Sequence, residues 1–305
     1  MAAPDRPLIA VVGPTASGKS ALALRLAEAA GGEIVSCDSL QVYRGLDVGS
    51  AKASPEERGR VRHHLLDVAA PGQHFSAADY ARLARAALLE IDARGAVPIV
   101  AGGTGLYLRA LLEGLFEGPA RDAALRARFE RLAGRFGDAR VHRLLRRVDP
   151  AAAARTSLRD RVRVVRALEV YWTSGRPITE HQRRPLAPLL GYRVLTLGLC
   201  PPRERLRRAV EARTEAMFAG GLLDEVRRLV AEHGADLPPL RAIGYRQALA
   251  LLQGTMDEAR ARHDMVADTM RYAKRQMTWF RHQAQAHWFD EGDAAFRFAV
   301  EWLRA

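Results

Sequence analysis

The segment from Gly13 to Ser20, GPTASGKS, has the residue types and the spacing to hold a phosphate group. It follows the apolar run LIAVV and precedes a helical pattern, which is the setting in which a glycine-rich loop cradles a diphosphate. Backbone N–H groups from Thr15 to Ser20 would converge on the phosphate oxygens at the start of a helix. The Lys19 ammonium would add a point charge, and the Ser20 hydroxyl could bind Mg²⁺. The predicted phosphate site consists of Gly13, Pro14, Thr15, Ala16, Ser17, Gly18, Lys19 and Ser20.

A carboxylate follows the second apolar run of the chain. EIVSCD predicts a buried strand, and Asp38 comes just past its carboxyl end. Ligands of open parallel sheets bind at that edge, so we expect Asp38 to face whatever lies beside the phosphates. Asp38 could hold Mg²⁺ through water, act as a base on an acceptor, or only cap a turn.

A third polar segment, GGTGLY, follows the fourth apolar run and therefore reaches the same edge. Thr104 within it could cap the next helix and also direct its hydroxyl at the site. The adjacent His63 and His64 do not predict a zinc site, because neighbours on a strand point to opposite faces.

The positive charge of the chain is concentrated in one segment. Of a net charge of +12, residues 121–184 carry +10, from seventeen arginines against seven acidic residues. A charged segment is most often a solvated face, but concentration into 64 consecutive residues favours a nucleic-acid partner.

Two further patterns favour RNA as that partner. SLRDRVRVVRALEVYW places Arg159, Arg163 and Arg166 on one predicted helical stripe, which could grip a phosphate backbone. Near the C-terminus, LRAIGYRQAL and AKRQMTWFRHQ interleave cations with aromatic residues, which suits stacked, unpaired bases. Trp279 and Phe280 are individually more typical of a core.

The elements that must position these residues alternate between strand and helix. Strands are predicted at 8–12, 33–38, 63–68, 97–103, 193–199 and 287–290. Helices are predicted after Lys19, after a Ser76–Asp79 capping box, at 202–219, 220–233 and 244–253, and from a Thr255–Glu258 capping box onward. This alternation predicts an α/β fold with a P-loop kinase-like parallel sheet, helices on both faces, and an inserted all-helical domain. The core would comprise residues 1–118 and 186–305, and the insertion residues 119–185.

Composition limits the class of protein further. Cys37 and Cys200 lie far apart and form neither a disulfide framework nor a metal knuckle, and no apolar run is long enough to span a membrane. We therefore expect a cytoplasmic protein without a membrane partner, and a monomer.

Taken together, these segments resemble the tRNA dimethylallyltransferase family. The matching pieces are GPTASGKS, DSLQVYRGLDVGSAK, HHLLDV, FSAADY, GGTGLY, RALEV, IGYRQ and AKRQMTWFR, in order along nearly the whole chain. The resemblance implies transfer of a dimethylallyl group from dimethylallyl diphosphate to N6 of a tRNA adenosine next to the anticodon, with diphosphate as the leaving group. Val162 and Gly105 depart from the family pattern, since the family usually has Gln ahead of Arg163 and a larger residue at position 105.

The resemblance also implies a role for individual residues. Asp38 would be the base, while the 13–20 loop, Lys19, Arg213 and Mg²⁺ at Ser20 would hold the diphosphate. Thr104 would touch the target nucleotide or orient the diphosphate. The implied tRNA contacts are Asp38, Ser39, Leu40, Gln41, Thr104, Arg126, Arg163, Arg166, Arg241, Gly244, Tyr245, Arg246, Lys274 and Arg275.

Three alternatives remain at this stage. A prenyltransferase acting on free adenine nucleotides would not need the arginine-rich insertion. A small-molecule kinase would consume ATP, whereas the transferase would run without it. A non-catalytic RNA-binding protein would not depend on the Asp38 carboxylate.

Overall fold

The chain forms two compact units. A computed structural model describes residues 6–116, 118–183 and 187–305. The first unit consists of Met1–Leu112 together with Leu189–Ala305, and the second of Glu113–Pro188. The first unit is thus discontinuous in sequence, and the second is a single stretch between its two parts.

Within the described residues, six parallel strands build the sheet of the first unit. They are β1 (Arg6–Val12), β2 (Gly32–Ser36), β3 (His63–His64), β4 (Val97–Gly102), β5 (Tyr192–Leu199) and β6 (His287–Phe289). Their order in the sheet is β3-β2-β4-β1-β5-β6, and Ile9 of β1 pairs with Ile99 of β4 and Leu195 of β5. The predicted α/β fold with a parallel sheet is therefore confirmed.

Helices cover both faces of this sheet. In chain order the helices of both units are α1 (Lys19–Ala30), α2 (Pro55–Arg60), α3 (Ala77–Ala93), α4 (Gly105–Leu112), α5 (Ala123–Phe136), α6 (Asp138–Val148), α7 (Pro150–Arg155), α8 (Arg161–Ser174), α9 (Ile178–His181), α10 (Arg203–Ala219), α11 (Leu222–His233), α12 (Tyr245–Leu252), α13 (Glu258–Gln283) and α14 (Gly292–Arg304), of which α5 to α9 belong to the second unit. Leu8 and Val12 of β1 pack on one face with residues of α3, α4 and α13, while Ile9 and Val11 pack on the other with α1 and α14. No helix in the described ranges is long and apolar enough to cross a membrane.

The third strand is shorter than the sequence predicts. Only His63 and His64 pair with β2, although the predicted strand ran from 63 to 68. Leu65 and Asp67 have φ values of 62° and 60°, in the left-handed region that a strand cannot continue through. The chain therefore leaves the sheet directly after the two histidines.

One predicted helix start is confirmed and another is wrong. Ser76 and Asp79 form the expected reciprocal capping box at the start of α3. At α13, however, the side chain of Asp257 accepts the N–H of Arg260, whereas the Thr255 hydroxyl donates to the Ala250 carbonyl. Asp257 is a better acceptor at the position that the helix geometry requires, so it replaces the predicted Thr255 cap.

The second unit is helical throughout its described residues. Helices α5 to α9 surround a small core that includes Phe129, Leu145 and Leu168. The fully buried Glu169 carboxylate accepts hydrogen bonds from the Asp122 N–H and the guanidinium groups of Arg126 and Arg166.

The predicted arginine stripe is shorter than expected. Helix α8 begins at Arg161, because Asp160 caps it by accepting the Arg163 N–H. Arg159 therefore lies in the preceding turn and not on the helix. Of the three predicted arginines, Arg163 and Arg166 are helical, and Arg163 is the more exposed, with 74% of its side chain accessible.

The cap of α13 can be tested by a pair of substitutions on one turn. Asp257→Ala should lower the free energy of unfolding by about 1 kcal/mol, because a helix N–H loses its acceptor. Thr255→Ala should change it by less than about 0.5 kcal/mol, because its exposed hydroxyl does not cap the helix. Chemical denaturation would measure both, and a larger loss for Thr255→Ala would restore the original assignment.

Candidate active site

A cavity of about 370 Å³ lies at the carboxyl ends of the central strands. The loop after β1 contributes Thr15, Lys19 and Ser20, and the segment after β2 contributes Asp38 to Gln41. Ala101 and Gly102 at the end of β4, and residues 49–51, also line the cavity. The remaining wall comes from α10, α13 and the residues at the start of α12, and it includes Val210, Arg213, Thr214, Met217, Ala242, Ile243, Arg246, Met265, Thr269, Tyr272, Arg275 and Gln276.

The phosphate loop has the expected shape, but not all of its N–H groups are available. The Thr15 N–H donates to the Gln276 side-chain oxygen at 2.9 Å, and the Ser17 N–H donates to the Pro14 carbonyl at 3.3 Å. Two of the N–H groups predicted to converge on the phosphate, those of Thr15 and Ser17, are therefore engaged within the protein in this structure. The first N–H groups of α1 have no helical acceptors and remain to bind an anion. The buried Ser17 hydroxyl also has no hydrogen-bond partner among the residues that the structure describes.

Two cations face this cavity. The Lys19 ammonium donates to the Pro14 carbonyl at 3.0 Å. Burial, and to a smaller extent the nearby Arg213 guanidinium, lower the pKa of Lys19 to about 8, while the Asp38 carboxylate opposes both effects. Burial also lowers the pKa of Arg213, again opposed by Asp38. Burial therefore deprives both cations of part of their hydration. The oxygens of a bound anion would replace the lost water.

Asp38 is held by its own turn. Its Oδ1 accepts the N–H groups of Leu40 at 2.8 Å and Gln41 at 3.4 Å. No hydrogen bond from the described residues reaches its second oxygen, which can therefore accept a proton or a ligand hydrogen. The turn-capping role and the chemical role considered from the sequence are thus compatible, because they use different oxygens.

Thr104 holds the segment around Asp38 by two hydrogen bonds. Its hydroxyl oxygen accepts the Ser39 N–H at 3.0 Å, and its own N–H donates to the Cys37 carbonyl at 3.1 Å. Among the described residues no N–H of α4 donates to this hydroxyl, and the Tyr107 and Leu108 N–H groups donate to the Thr104 carbonyl instead, so the side chain does not cap α4. Thr104 is not among the residues that line the cavity.

Three glycines explain how the walls come so close together. A Cβ at Gly102 would lie 2.1 Å from the Cys37 carbonyl oxygen, and one at Gly103 would lie 2.3 Å from the side chain of Gln276. At Gly105 a Cβ would lie 2.1 Å from the Trp279 ring. The glycine at position 105, where the family usually has a larger residue, thus leaves room for an indole.

Gln276 is a site residue that the sequence analysis missed. It is buried, accepts the Thr15 N–H through Oε1 and donates through Nε2 to the Gly103 carbonyl at 2.9 Å. It therefore connects the phosphate loop to the segment after β4. The signal was present in AKRQMTWFR, as a glutamine within a cationic and aromatic pattern, but only the cations and aromatics were considered.

The residues expected to contact RNA fall into three groups. Ser39, Leu40 and Gln41 line the cavity, as do the exposed Arg246 and Arg275. Arg241 and Lys274 are exposed on the same unit, and Arg126, Arg163 and Arg166 belong to the second unit.

Gly244 and Tyr245 do not fit the expected contact role. Both are buried, and the Tyr245 hydroxyl donates to the Glu225 carboxylate at 2.8 Å. Gly244 has a φ of 90°, and its N–H donates to the Gln247 side chain. A direct RNA contact by the Tyr245 side chain is therefore wrong for this structure, because none of its surface is accessible.

The protein ligand expected for Mg²⁺ is the Ser20 hydroxyl. The exposed Ser20 lines the cavity, but no cluster of three or more His, Cys, Asp or Glu residues suited to a metal occurs in the described part of the chain. Mg²⁺ commonly takes one or two protein oxygens and completes its shell with water and substrate phosphate. The residues present fit an ion that arrives together with a diphosphate.

Comparisons with known proteins agree on one family. The family model described as IPP transferase matches residues 41–283. The "tRNA dimethylallyltransferase" of Solibacter usitatus is 50% identical over 94% of both chains. The crystal structure of the full-length tRNA isopentenylpyrophosphate transferase from Bacillus halodurans matches at 35% identity and a TM-score of 0.71, covering 98% of this chain and 96% of that one. A eukaryotic dimethylallyltransferase, described as acting on tRNA, matches at 25% identity and a TM-score of 0.75, covering 90% of this chain and 70% of the other.

The lowered pKa of Lys19 predicts a pH-dependent affinity for anions. Below about pH 8 the ammonium is charged and binds pyrophosphate, whereas above that pH the free protein must first take up a proton, so affinity should fall. Calorimetry with inorganic pyrophosphate and Mg²⁺ between about pH 7 and about pH 9.5 would measure this, with Lys19→Arg as the control because arginine stays charged. Identical pH profiles for the two proteins would contradict the assignment of Lys19.

Proposed function

The chain belongs to the IPP transferase family, and we propose that it transfers a dimethylallyl group from dimethylallyl diphosphate to N6 of an adenosine next to the anticodon of tRNA. The observation that carries this proposal is the placement of a phosphate loop, two desolvated cations and a carboxylate around one cavity. A prenyl diphosphate needs the first two features and an adenine acceptor needs the third.

Holding the diphosphate is the task of the loop and its cations. The N–H groups at the start of α1, Lys19 and Arg213 would bind the phosphate oxygens, where negative charge grows as the C1–O bond breaks. Lys19 would exchange the Pro14 carbonyl for a phosphate oxygen. Mg²⁺ bound at Ser20 would supply further neutralisation of the leaving group.

Removing a proton is the task of Asp38. The adenine N6 lone pair is delocalised into the ring, so N6 is a poor nucleophile unless its proton leaves as the bond forms. The free oxygen of Asp38 would accept that proton while N6 bonds to C1 and diphosphate departs. Thr104 would act through Ser39, whose N–H it holds, and so would fix the direction of the neighbouring carboxylate.

The RNA would be held by cations in the cavity wall and by cations outside it. Arg246 and Arg275 line its wall, and Arg241 and Lys274 lie exposed on the same unit. The second unit would contact the phosphate backbone through Arg126, Arg163 and Arg166. An unpaired adenosine in a loop can be extruded into the cavity without losing a base pair. We place the reaction in the cytoplasm, where tRNA is available, and expect a monomer to carry it out.

The alternatives from the sequence analysis have less support. The relatives matched over most of the chain are named as tRNA-modifying transferases, not as kinases or as enzymes of free nucleotides. A protein that only bound RNA would have no use for desolvated cations beside a carboxylate.

Asp38 provides the sharpest test of the proposed chemistry. Asp38→Asn keeps the oxygen that accepts the Leu40 N–H but removes the base, so kcat should fall by about 10²- to 10⁴-fold. Mass analysis of an anticodon stem-loop incubated with dimethylallyl diphosphate and Mg²⁺ would measure the transfer. The affinity for that RNA should change by less than about threefold, since the variant keeps the shape of the turn. Turnover equal to that of the unmodified protein would rule out Asp38 as the base.

Arg163 provides a test of the second unit. Arg163→Glu should weaken binding of the anticodon stem-loop and reduce the slope of log affinity against log salt by about 1 or more, because a phosphate contact is lost. Affinity for dimethylallyl diphosphate should not change. Arg227→Glu is the matched control, since Arg227 is an exposed arginine on α11 with the same change of charge. Equal effects of the two variants on RNA binding would show that only net charge matters.

A further inference from the structure

Glu225 on α11 is a buried carboxylate with an unusual set of partners. It accepts three successive backbone N–H groups, from Asp47 at 2.9 Å, Val48 at 2.7 Å and Gly49 at 3.1 Å. The Tyr245 hydroxyl is its fourth donor, at 2.8 Å. Both of its oxygens are thus fully used, and Glu225 is only 7% exposed.

These four donors are all neutral. Glu225 forms no ion pair among the described residues, so its charge is stabilised by the N–H groups, the phenol and the N-terminal end of α11, in whose first turn it lies. Burial and the Glu225 charge raise the pKa of Tyr245, so the phenol remains a donor. A buried charge satisfied in this way fixes the geometry of its partners, because any displacement leaves it unpaired.

The segment that Glu225 holds, residues 46–52 (LDVGSAK), is also a wall of the active site. Gly49, Ser50 and Ala51 line the cavity. The Ser50 carbonyl accepts hydrogen bonds from the Gln41 amide at 3.3 Å and from Arg213 at 3.4 Å, and the Ala51 carbonyl accepts the Gln41 amide at 3.1 Å.

Tyr245 holds the same segment by packing. A Cβ at Gly49 would lie 2.5 Å from the Tyr245 ring, although the backbone at Gly49 does not have a positive φ. Glycine is therefore needed at position 49 so that the ring can lie directly against the turn. The ring and the carboxylate thus contact the same part of the 46–52 segment from α12 and α11.

We propose that Glu225, assisted by Tyr245, is a positioning residue for the transfer reaction. Its carboxylate fixes the 46–52 segment, whose carbonyl groups in turn fix Arg213 on the diphosphate and Gln41 in the turn that holds Asp38. This inference rests on the proposed function, but its physical content is narrower. It states that a charge outside the cavity determines where a cation inside the cavity lies.

Glu225→Gln tests the proposal with almost no change of shape. The amide side chain has one acceptor oxygen in place of two and adds donors facing donors, so at least one of the three backbone N–H groups loses its partner. The matched control is Glu232→Gln, on the same helix but exposed. We would measure kcat and KM for each substrate, the affinity for inorganic pyrophosphate with Mg²⁺ by calorimetry, and the midpoint of thermal unfolding.

We expect Glu225→Gln to impair binding of dimethylallyl diphosphate and not binding of RNA. Glu225→Gln should raise KM for dimethylallyl diphosphate and weaken pyrophosphate binding by about tenfold or more, with affinity for the anticodon stem-loop changed by less than about threefold. Glu232→Gln should match the unmodified protein. A folded Glu225→Gln protein with unchanged donor KM and unchanged pyrophosphate affinity, even if its unfolding midpoint falls, would overturn the proposal.

A second variant decides the matter if Glu225→Gln does not fold. Tyr245→Phe keeps the ring against Gly49 and removes a single hydrogen-bond donor. We therefore expect KM for dimethylallyl diphosphate to rise by about threefold, and an unchanged KM would overturn the proposal. If the unmodified protein transfers no dimethylallyl group, the proposed function fails. The pyrophosphate measurements then still decide whether Glu225 positions the cavity.

Discussion

The structure depends on a charge imbalance that its own side chains do not remove. Lys19 and Arg213 are both desolvated, they repel each other, and Asp38 is the carboxylate that offsets them. In a low-dielectric cavity such an arrangement is costly until an anion with more than one negative charge enters. The cavity thus holds excess positive charge before any ligand is present, and binding of the proposed diphosphate donor would relieve this repulsion.

The fold maintains this arrangement by backbone contact. Gly102 and Gly103 let the end of β4 lie against Cys37 and Gln276, and Gln276 in turn accepts the Thr15 N–H of the phosphate loop. Because these contacts join three loops at one edge of the sheet, the positions of Asp38 and the cations are set together. A parallel sheet supplies that edge, since all of its strands end on the same side.

The sequence predicts the local features better than the tertiary ones. The phosphate loop, the parallel sheet and the cap of α3 follow from short patterns, because each is determined by residues close in the chain. The cap of α13 and the length of β3 were wrong, since Asp257 competed with Thr255 and the left-handed backbone at Leu65 leaves no pattern in the sequence. Glu225 and Tyr245 were missed or misassigned because their roles arise from segments almost two hundred residues apart meeting in the interior.

The connection between Gln276 and the phosphate loop gives α13 a mechanical role. Gln276 lies eighteen residues from Glu258, the first residue of this helix, a distance of about 27 Å along a nearly rigid rod. A tilt of about 5° about Gln276 would displace the opposite end by about 2 Å. Lys274 and Arg275 directly precede the pivot on the exposed side. A shift of the phosphate loop that tilted α13 would therefore move the exposed end of the helix at Glu258 most, while Lys274 and Arg275, next to the pivot, would stay nearly in place.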